Sequence, residues 1–247
     1  MTNQSFLKLV KYDFLVFFRE PFFALPILVL PGIFFFVFMS LFKAQLGTME
    51  GFEVYIPTYA LLISFLILFF NIGLQFVTEK ERGIHKRLML SSISKSHIVN
   101  AYLTRGVLLS IVGLVEICVI AWAAFDMALS EHFLFFLIGY LLVIGLVLLV
   151  SLSVHDLFKN TKQVLPFTII TFQYVLFGSG LMFPAEKAPD FLKALIYSNP
   201  FYHMNELLVQ LWMGEFSSIS MKGILYLAAI ALVCVGLVKW NATRKEA

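Results

Sequence analysis

The sequence has few charged residues and too many apolar ones for a soluble protein. Only 13% of its 247 residues are charged, whereas 60% are hydrophobic. In soluble globular domains about a quarter of the residues are charged and about half are apolar. Apolar runs of about 18 or more residues can cross a bilayer as helices, because a helix satisfies its backbone polar groups internally. The composition therefore predicts an all-α membrane protein that crosses the bilayer several times.

Motifs for ATP or metal chemistry are missing as well. The chain has no G-x-x-x-x-G-K-S/T phosphate loop, and the segment 178–180 (GSG) lies in an apolar run without the lysine. Its five histidines are dispersed, with no metal-ligand spacing. Cys118 and Cys234 both lie in apolar runs, where cysteine usually acts as a small hydrophobic residue. We therefore expect a chain that is not an enzyme, with no catalytic residues, metal or cofactor of its own.

Long apolar runs predict six transmembrane helices. We expect them at about 22–42, 57–77, 98–124, 133–154, 164–182 and 223–240. Residues 1–20 have apolar side chains at helical spacing, which predicts an amphipathic interfacial helix. The segment 183–222 is too apolar for a free loop and is broken by prolines, which favours short re-entrant helices before the last span. The whole chain, 1–247, is predicted to be a single transmembrane domain.

The distribution of Lys and Arg predicts the orientation. Of the 18 basic residues, fourteen fall on one side of the predicted spans and four on the other. Cytoplasmic loops carry an excess of Lys and Arg. Both termini are therefore expected in the cytoplasm, together with the connections 79–96 and 155–163.

Residues 79–96, between the second and third spans, form the most highly charged segment. Ile84, Leu88 and Met89 can share one face of a short helix, with charged residues around it. Such a helix could bind in a groove of another protein. A solvated loop whose positive charges contact anionic lipid is the alternative interpretation.

The order of these features resembles one family. After the second span comes E-x-E-x-G followed by leucines and serines, and N-P-F-Y precedes the last span. The residues concerned are Glu79, Glu81, Gly83, Leu88, Leu90, Ser94, Asn199, Pro200 and Tyr202. Over essentially its whole length the chain resembles a type-2 ABC exporter permease, the transmembrane subunit of ABC-2 type transporters.

The resemblance implies a division of labour between two kinds of subunit. A coupling helix at about 79–95 would bind in a cleft of a separate cytoplasmic ABC ATPase, which would bind ATP and Mg. The residues it assigns to ATPase coupling are Glu79, Glu81, Arg82, Gly83, Arg87 and Leu88. Two permease chains, identical or paralogous, would lie side by side in a bacterial plasma membrane. The expected partners are the ATPase, the second permease and membrane lipid, with no nucleic acid.

Four further residues stand out, two inside the third predicted span and two before the last span. Glu116 lies inside the third span, where a carboxylate is costly enough to be a candidate for the translocation path. Snorkelling to water, or a neutral carboxyl bonded to a neighbouring helix, is the alternative. Asn199 and Pro200 are expected to form a structural turn, with Asn199 capping a helix. Arg105, in the third span, can either reach the lipid headgroups or anchor the coupling loop by pairing with Glu79 or Glu81.

The resemblance implies export, and we expect the substrate to be an amphipathic molecule, such as a drug, a lipid-like compound or a hydrophobic peptide. A polysaccharide or teichoic-acid exporter is the alternative within the family. A membrane-embedded transferase would need acidic or histidine residues clustered at one membrane face. A channel or ion-coupled transporter would need several charges inside the membrane. Neither pattern is present in the sequence.

Overall fold

The chain folds into a bundle of helices joined by short connections. The structure is a computed structural model that describes residues 10–12, 15, 17, 19, 21–46, 51–90, 94–179 and 188–246. No β-strand occurs among these residues, which confirms the predicted all-α fold. From Pro21 onward the described helices are α1 (Pro21–Leu46), α2 (Tyr55–Glu81), α3 (Ile84–Leu90), α4 (Lys95–Phe125), α5 (Phe133–His155), α6 (Thr161–Gly178), α7 (Asp190–Tyr197), α8 (Pro200–Met213) and α9 (Met221–Glu246).

Helix α2 lies at the centre of the bundle. Residues 56–65 are all buried, and the helix packs against α1, α4, α5, α6 and α8. A helix that is apolar on all of its faces is typical of such a central position. The other long helices each expose large apolar side chains on one side, as a helix that faces lipid does. The bundle is therefore arranged around α2.

A π-helical segment, Leu66–Ile72, interrupts α2 at its middle. The Ser151 hydroxyl on α5 donates a hydrogen bond of 2.8 Å to the Leu68 carbonyl inside this segment. The wider π turn changes the direction of the side chains that follow, and such segments often occur at functional sites. The π segment thus separates the first part of α2, Tyr55–Phe65, from the part that ends at Glu81.

Buried hydroxyl groups join three helices within the bundle. The Tyr140 hydroxyl on α5 lies 2.7 Å from the Ser64 hydroxyl on α2 and donates to the Ser110 carbonyl on α4 at 3.0 Å. All three residues are fully buried. Because an unpaired polar group in this environment is costly, these bonds fix α2, α4 and α5 in one register.

Five of the six predicted spans coincide with helices long and apolar enough to cross a membrane. Among the described residues these are Leu25–Ala44, Tyr55–Glu81, Ser96–Phe125, Phe133–His155 and Met221–Asn241. The span predicted at 164–182 corresponds to α6, which has 18 residues and includes Lys162, Gln163 and Gln173. These polar residues lower its mean hydropathy, and residues 180–182 lie outside the described part of the chain. A multi-pass bundle is confirmed, whereas the count of six stays a prediction.

The predicted interfacial helix and re-entrant segment are described in part. Residues 1–9 of the interfacial helix lie outside the described residues, as do 13, 14, 16, 18 and 20. Phe17 is buried, and the Arg105 guanidinium lies 5.9 Å from the centre of its ring. Within 183–222 the chain forms the short helices α7 and α8. Whether these two helices enter the bilayer stays a prediction.

Glycine allows α2 and α4 to pack closely, and this contact gives a test of the bundle. A Cβ atom at Gly113 would lie 2.4 Å from Ile63 Cγ2, whereas one at Gly145 would meet nothing within 4 Å. We expect Gly113→Ala to lower the free energy of unfolding by about 1–3 kcal/mol, because the new methyl group overpacks the contact. Gly145→Ala is the matched control, and its higher helix propensity leaves stability unchanged or raised. Thermal unfolding of both purified variants checks this; equal melting temperatures would contradict the close contact.

Candidate coupling site and apolar cavity

The chain turns sharply between α2 and α3. Gly83 has a φ of +68°, in the left-handed region that glycine adopts without strain. The amides of Arg82 and Gly83 donate to the carbonyls of Thr78 and Lys80, which ends α2 after Glu81. Gly83 therefore allows the seven-residue helix α3 to leave the bundle in a new direction.

The carboxylate of Glu79 is held within the chain. It accepts hydrogen bonds from the Tyr102 hydroxyl and the Gln75 amide, both at 2.6 Å, and lies 3.3 Å from His85 Nε2. Tyr102 belongs to α4 and His85 to α3. Glu79 thus joins three helices at the base of α3 and presents little surface to a partner.

Lys80 and Glu81 bind the connection between α5 and α6. The Lys80 ammonium group donates to the Asp156 carboxylate at 3.0 Å and to the carbonyls of Asp156 and Phe158 at 2.6 and 3.0 Å. The Glu81 carboxylate accepts from the amide and the hydroxyl of Thr161, each at 2.8 Å. The end of α2 is thereby fastened to the end of α5 and the start of α6.

The outer surface of this region is formed by other residues. Arg82, Lys86 and Arg87 are exposed, and Leu90 is 87% exposed. Leu88 is half-buried and packs against the bundle. The predicted apolar face of α3 is thus divided, since Leu88 faces the bundle while Met89 and Leu90 face outward. Charged and apolar side chains together form a surface suited to a protein partner.

Arg105 and the two glutamates have separate environments. The carboxylates of Glu79 and Glu81 accept from the groups described above rather than from Arg105. Arg105 is fully buried, with its guanidinium near the rings of Phe17 and Tyr102 at 5.9 and 6.0 Å. It therefore joins residue 17 of the N-terminal segment to α4.

An apolar cavity of about 730 Å³ lies between α1, α2 and α6. Its walls are formed by Pro26, Ile27, Leu30, Pro31, Phe34, Phe38, Met39 and Phe42 of α1, by Tyr55, Tyr59, Leu62, Leu66 and Phe70 of α2, and by Ile169, Phe172 and Leu176 of α6. Of these residues only Tyr55 and Tyr59 carry a polar side-chain group. Both lie in the first turns of α2, so the hydroxyl groups are at one end of a long apolar slot.

Glu116 lies outside this cavity. It projects from α4 toward α1, where a Cβ atom at Gly32 would lie 2.2 Å from its carboxylate oxygen. The side chain is half-buried. The absence of a Cβ at Gly32 makes room for the carboxyl group, which is not among the groups that line the cavity.

Asn199 and Pro200 lie where α7 gives way to α8. Asn199 is fully buried and is the N-cap of α8, accepting from the Phe201 amide at 3.0 Å. Its side-chain amide donates to the Tyr174 carbonyl on α6 at 3.2 Å. Pro200 occupies the first turn of α8, where its missing N–H costs nothing.

Comparison with known families identifies the chain. A family profile described as ABC-2 family transporter protein matches residues 39–239, which include the α2–α3 corner, the α2 and α6 walls of the cavity and Asn199. The chain belongs to the ABC-2 transporter family. A comparison with curated proteins gave no match. The match confirms the family predicted from the sequence, and membership implies association with an ABC ATPase.

The sequence did not reveal several functional features of this ABC-2 protein. Asp156, Thr161 and Tyr102 are far from Glu79–Glu81 along the chain, and no local pattern connects them. The cavity depends on the angle between α1 and α6, which hydropathy does not determine. Among the described residues no group of three His, Cys, Asp or Glu could hold a metal ion.

The double role of Asn199 in this ABC-2 protein gives a test. We expect Asn199→Ala to lower the free energy of unfolding by about 2–3 kcal/mol, because it removes a helix cap and a buried bond to α6. Asn160→Ala is the control: Asn160 caps α6 but accepts only from the Gln163 amide, at 3.0 Å. Its loss costs about 1 kcal/mol. Thermal unfolding of the two variants compares them, and an Asn199→Ala variant no less stable than Asn160→Ala would contradict the buried role.

Proposed function

We propose that this chain is the transmembrane subunit of an ABC exporter that moves an amphipathic substrate out of the cell. A separate cytoplasmic ATPase binds and hydrolyses ATP, and the permease transmits the resulting movement. Two permease chains, identical or similar, lie side by side in the plasma membrane with both termini in the cytoplasm. The single observation that carries the proposal is the cavity, because its wall is apolar along nearly its whole length.

The shape of the cavity favours an amphipathic substrate over a polysaccharide. Its α2 wall extends from Tyr55 to Phe70, about 22 Å at the helical rise per residue. A sugar polymer exposes many hydroxyl groups, each of which needs a hydrogen-bond partner when water is removed. The two tyrosine hydroxyls of the cavity supply few hydrogen bonds to such a polymer. A drug, lipid-like compound or hydrophobic peptide can place its apolar part in the slot and its polar part near these hydroxyls.

The same cavity disfavours the membrane-embedded transferase. Acyl or phosphoryl transfer needs an acid, base or nucleophile directed at the substrate. Here the carboxylates of Glu79 and Glu81 bind other parts of the chain, and Glu116 lies against α1 outside the cavity. Transport requires none of these groups to react.

The surface of α3 supports the proposed ATPase contact. Leu90, almost fully exposed, can enter an apolar pocket of the partner, while Arg82 and Arg87 can pair with acidic groups around it. An exposed apolar anchor surrounded by arginine is a common arrangement at interfaces. Glu79, Gly83 and Leu88 position this helix from within the bundle.

Charge reversal on α3 tests the contact. We expect Arg87→Glu to reduce the ATPase retained by the tagged permease about tenfold or more, and Leu90→Asp to do the same, because each alters an exposed interface position. Lys222→Glu, an exposed basic residue at the start of α9, is the matched control. Co-purification from membranes after joint expression measures retention. Equal retention by Arg87→Glu, Leu90→Asp and the wild type would contradict docking on α3.

A photoreactive probe tests the cavity. An alkyl diazirine with a small polar head should label peptides of α1, α2 and α6 saturably, whereas labelling of exposed Leu142 and Leu232 increases in proportion to probe concentration, as for lipid. Ile169→Trp fills part of the slot, so several methylene groups of the probe can no longer be buried there. We therefore expect the saturable labelling to fall about fivefold or more. Ile170→Trp, an exposed neighbour, is the control. Non-saturable labelling of the cavity peptides would contradict a binding site there.

A further inference from the structure

The contacts between α2 and the connection to α6 are matched in charge to the helix ends they meet. The Lys80 ammonium group lies at the carboxyl end of α5, where it binds one carboxylate and two carbonyl oxygens. All three of its donors are therefore used. The Glu81 carboxylate lies at the amino end of α6 and binds the first amide and the hydroxyl of that helix. A cation at a helix carboxyl end and an anion at an amino end are each favourable.

Thr161 has a second contact with α2. Its hydroxyl lies 3.2 Å from the Thr78 hydroxyl, in the same last turn of α2 as Lys80 and Glu81. These contacts therefore all come from the last turn of α2, and all of them reach residues 156–161. We call this set the latch: Thr78, Lys80 and Glu81 on α2, with Asp156, Phe158 and Thr161 opposite.

A buried contact continues this attachment along α6. The Thr168 hydroxyl lies 3.3 Å from His155 Nε2, and the His155 ring lies against Gly73 of α2. Thr161, Val164 and Thr168 are spaced three and four residues apart and so share one side of α6. Ile169, Phe172 and Leu176 line the cavity instead. One helix thus contacts α2 and α5 on one side and forms a cavity wall on another.

The π segment lies between the latch and most of the cavity-lining residues of α2. Movement of α3 reaches α2 directly through Gly83, but Leu66–Ile72 lies between that end of α2 and most of its cavity-lining residues. A π segment has poorer backbone geometry than an α-helix and can absorb displacement. The latch lies on the α3 side of the π segment and joins the end of α2 directly to the start of α6, so displacement can reach α6 without passing through the π segment.

We propose that the latch makes α6 move with the end of α2, so that displacement of α3 by the ATPase changes the shape of the apolar cavity. This inference rests on the proposed function, and it assigns positioning roles to Lys80, Glu81, Asp156 and Thr161. Asp156 and Thr161 lie outside the ATPase contact. They can therefore be changed without altering the exposed surface of α3.

The experiment uses the permease purified with its ATPase. Cys118 and Cys234 are replaced by alanine, and Ile169→Cys reports on the cavity through its rate of reaction with a maleimide. With the latch intact, binding of a non-hydrolysable ATP analogue is expected to change this rate about fivefold, and Asp156→Asn/Thr161→Val is expected to abolish most of the change. Asp190→Asn/Thr104→Val makes the same chemical changes at one exposed and one half-buried position outside the latch, and is expected to respond like the Ile169→Cys protein with the latch intact.

A disulfide in place of the latch contacts distinguishes a loss of coupling from a loss of stability. Because the two threonine hydroxyls are 3.2 Å apart, Thr78→Cys and Thr161→Cys can form a disulfide. In a protein that also carries Asp156→Asn, the oxidised form should recover the nucleotide response and the reduced form should lack it, with labelling of residue 169 followed by peptide mass spectrometry.

Each remaining outcome overturns a defined part of the proposal. If Asp156→Asn/Thr161→Val responds like the Ile169→Cys protein with the latch intact, or if the oxidised and reduced forms respond equally, the latch is wrong and the proposed function stands. If ATPase binds but the Ile169→Cys protein with the latch intact shows no nucleotide response, α6 does not follow α2 and the latch is again wrong. If the wild type retains no ATPase, the proposed function fails, and the latch as a relay fails with it.

Discussion

The structure depends on the burial of α2 by helices around it. Because α2 is surrounded, its core meets its neighbours mainly through apolar or small side chains, and a polar group buried there is costly unless it finds a partner within the bundle. Ser64 does so through Tyr140, and the π-segment carbonyl of Leu68 does so through Ser151. Gly113 of α4 leaves the space that Ile63 occupies. These contacts restrict how α4 and α5 can be placed, and they bring the ends of α2, α5 and α6 together.

The charged side chains of Lys80 and Glu81 bind the ends of helices in this fold. Lys80 and Glu81 are neighbours of opposite sign, and each binds the helix end that it complements. Helix ends leave backbone groups unpaired, so side chains that reach them replace water as partners. The charged segment predicted from the sequence therefore has two uses. Glu79, Lys80 and Glu81 bind groups on α3, α4, the α5–α6 connection and the start of α6, whereas Arg82, Lys86 and Arg87 remain exposed.

Local sequence patterns determine the helices, and long-range packing determines the site. Runs of apolar residues placed five spans correctly, because the length needed to cross hydrocarbon is a property of a single segment. The coupling helix predicted at about 79–95 has other bounds in the structure, because α2 continues to Glu81 and Gly83, in the left-handed region, separates it from α3 (Ile84–Leu90). Thr161 as a partner of Glu81, by contrast, is 80 residues away and can be found only once α2 and α6 are packed. The division of α3 between Leu88 and Leu90 also depends on the angle at Gly83, which no periodicity encodes.

Helix α3 has only seven residues, and this length bears on how a partner would bind it. A helix of seven residues is too short to be stable alone in water, because nucleation costs more than so few hydrogen bonds return. Several contacts with the bundle support it, among them the Glu79–His85 pair, the contact of His85 Nε2 with the Tyr102 hydroxyl at 3.0 Å and the packing of Leu88. These contacts involve its inner side, whereas Leu90 is left outside at a position where burial would contribute about 2 kcal/mol. A partner that covers Leu90 would therefore stabilise the helix as it binds it, so that docking and ordering of α3 occur together. In the proposed complex with the ATPase, the bound partner supplies the rigidity that the isolated seven-residue helix lacks.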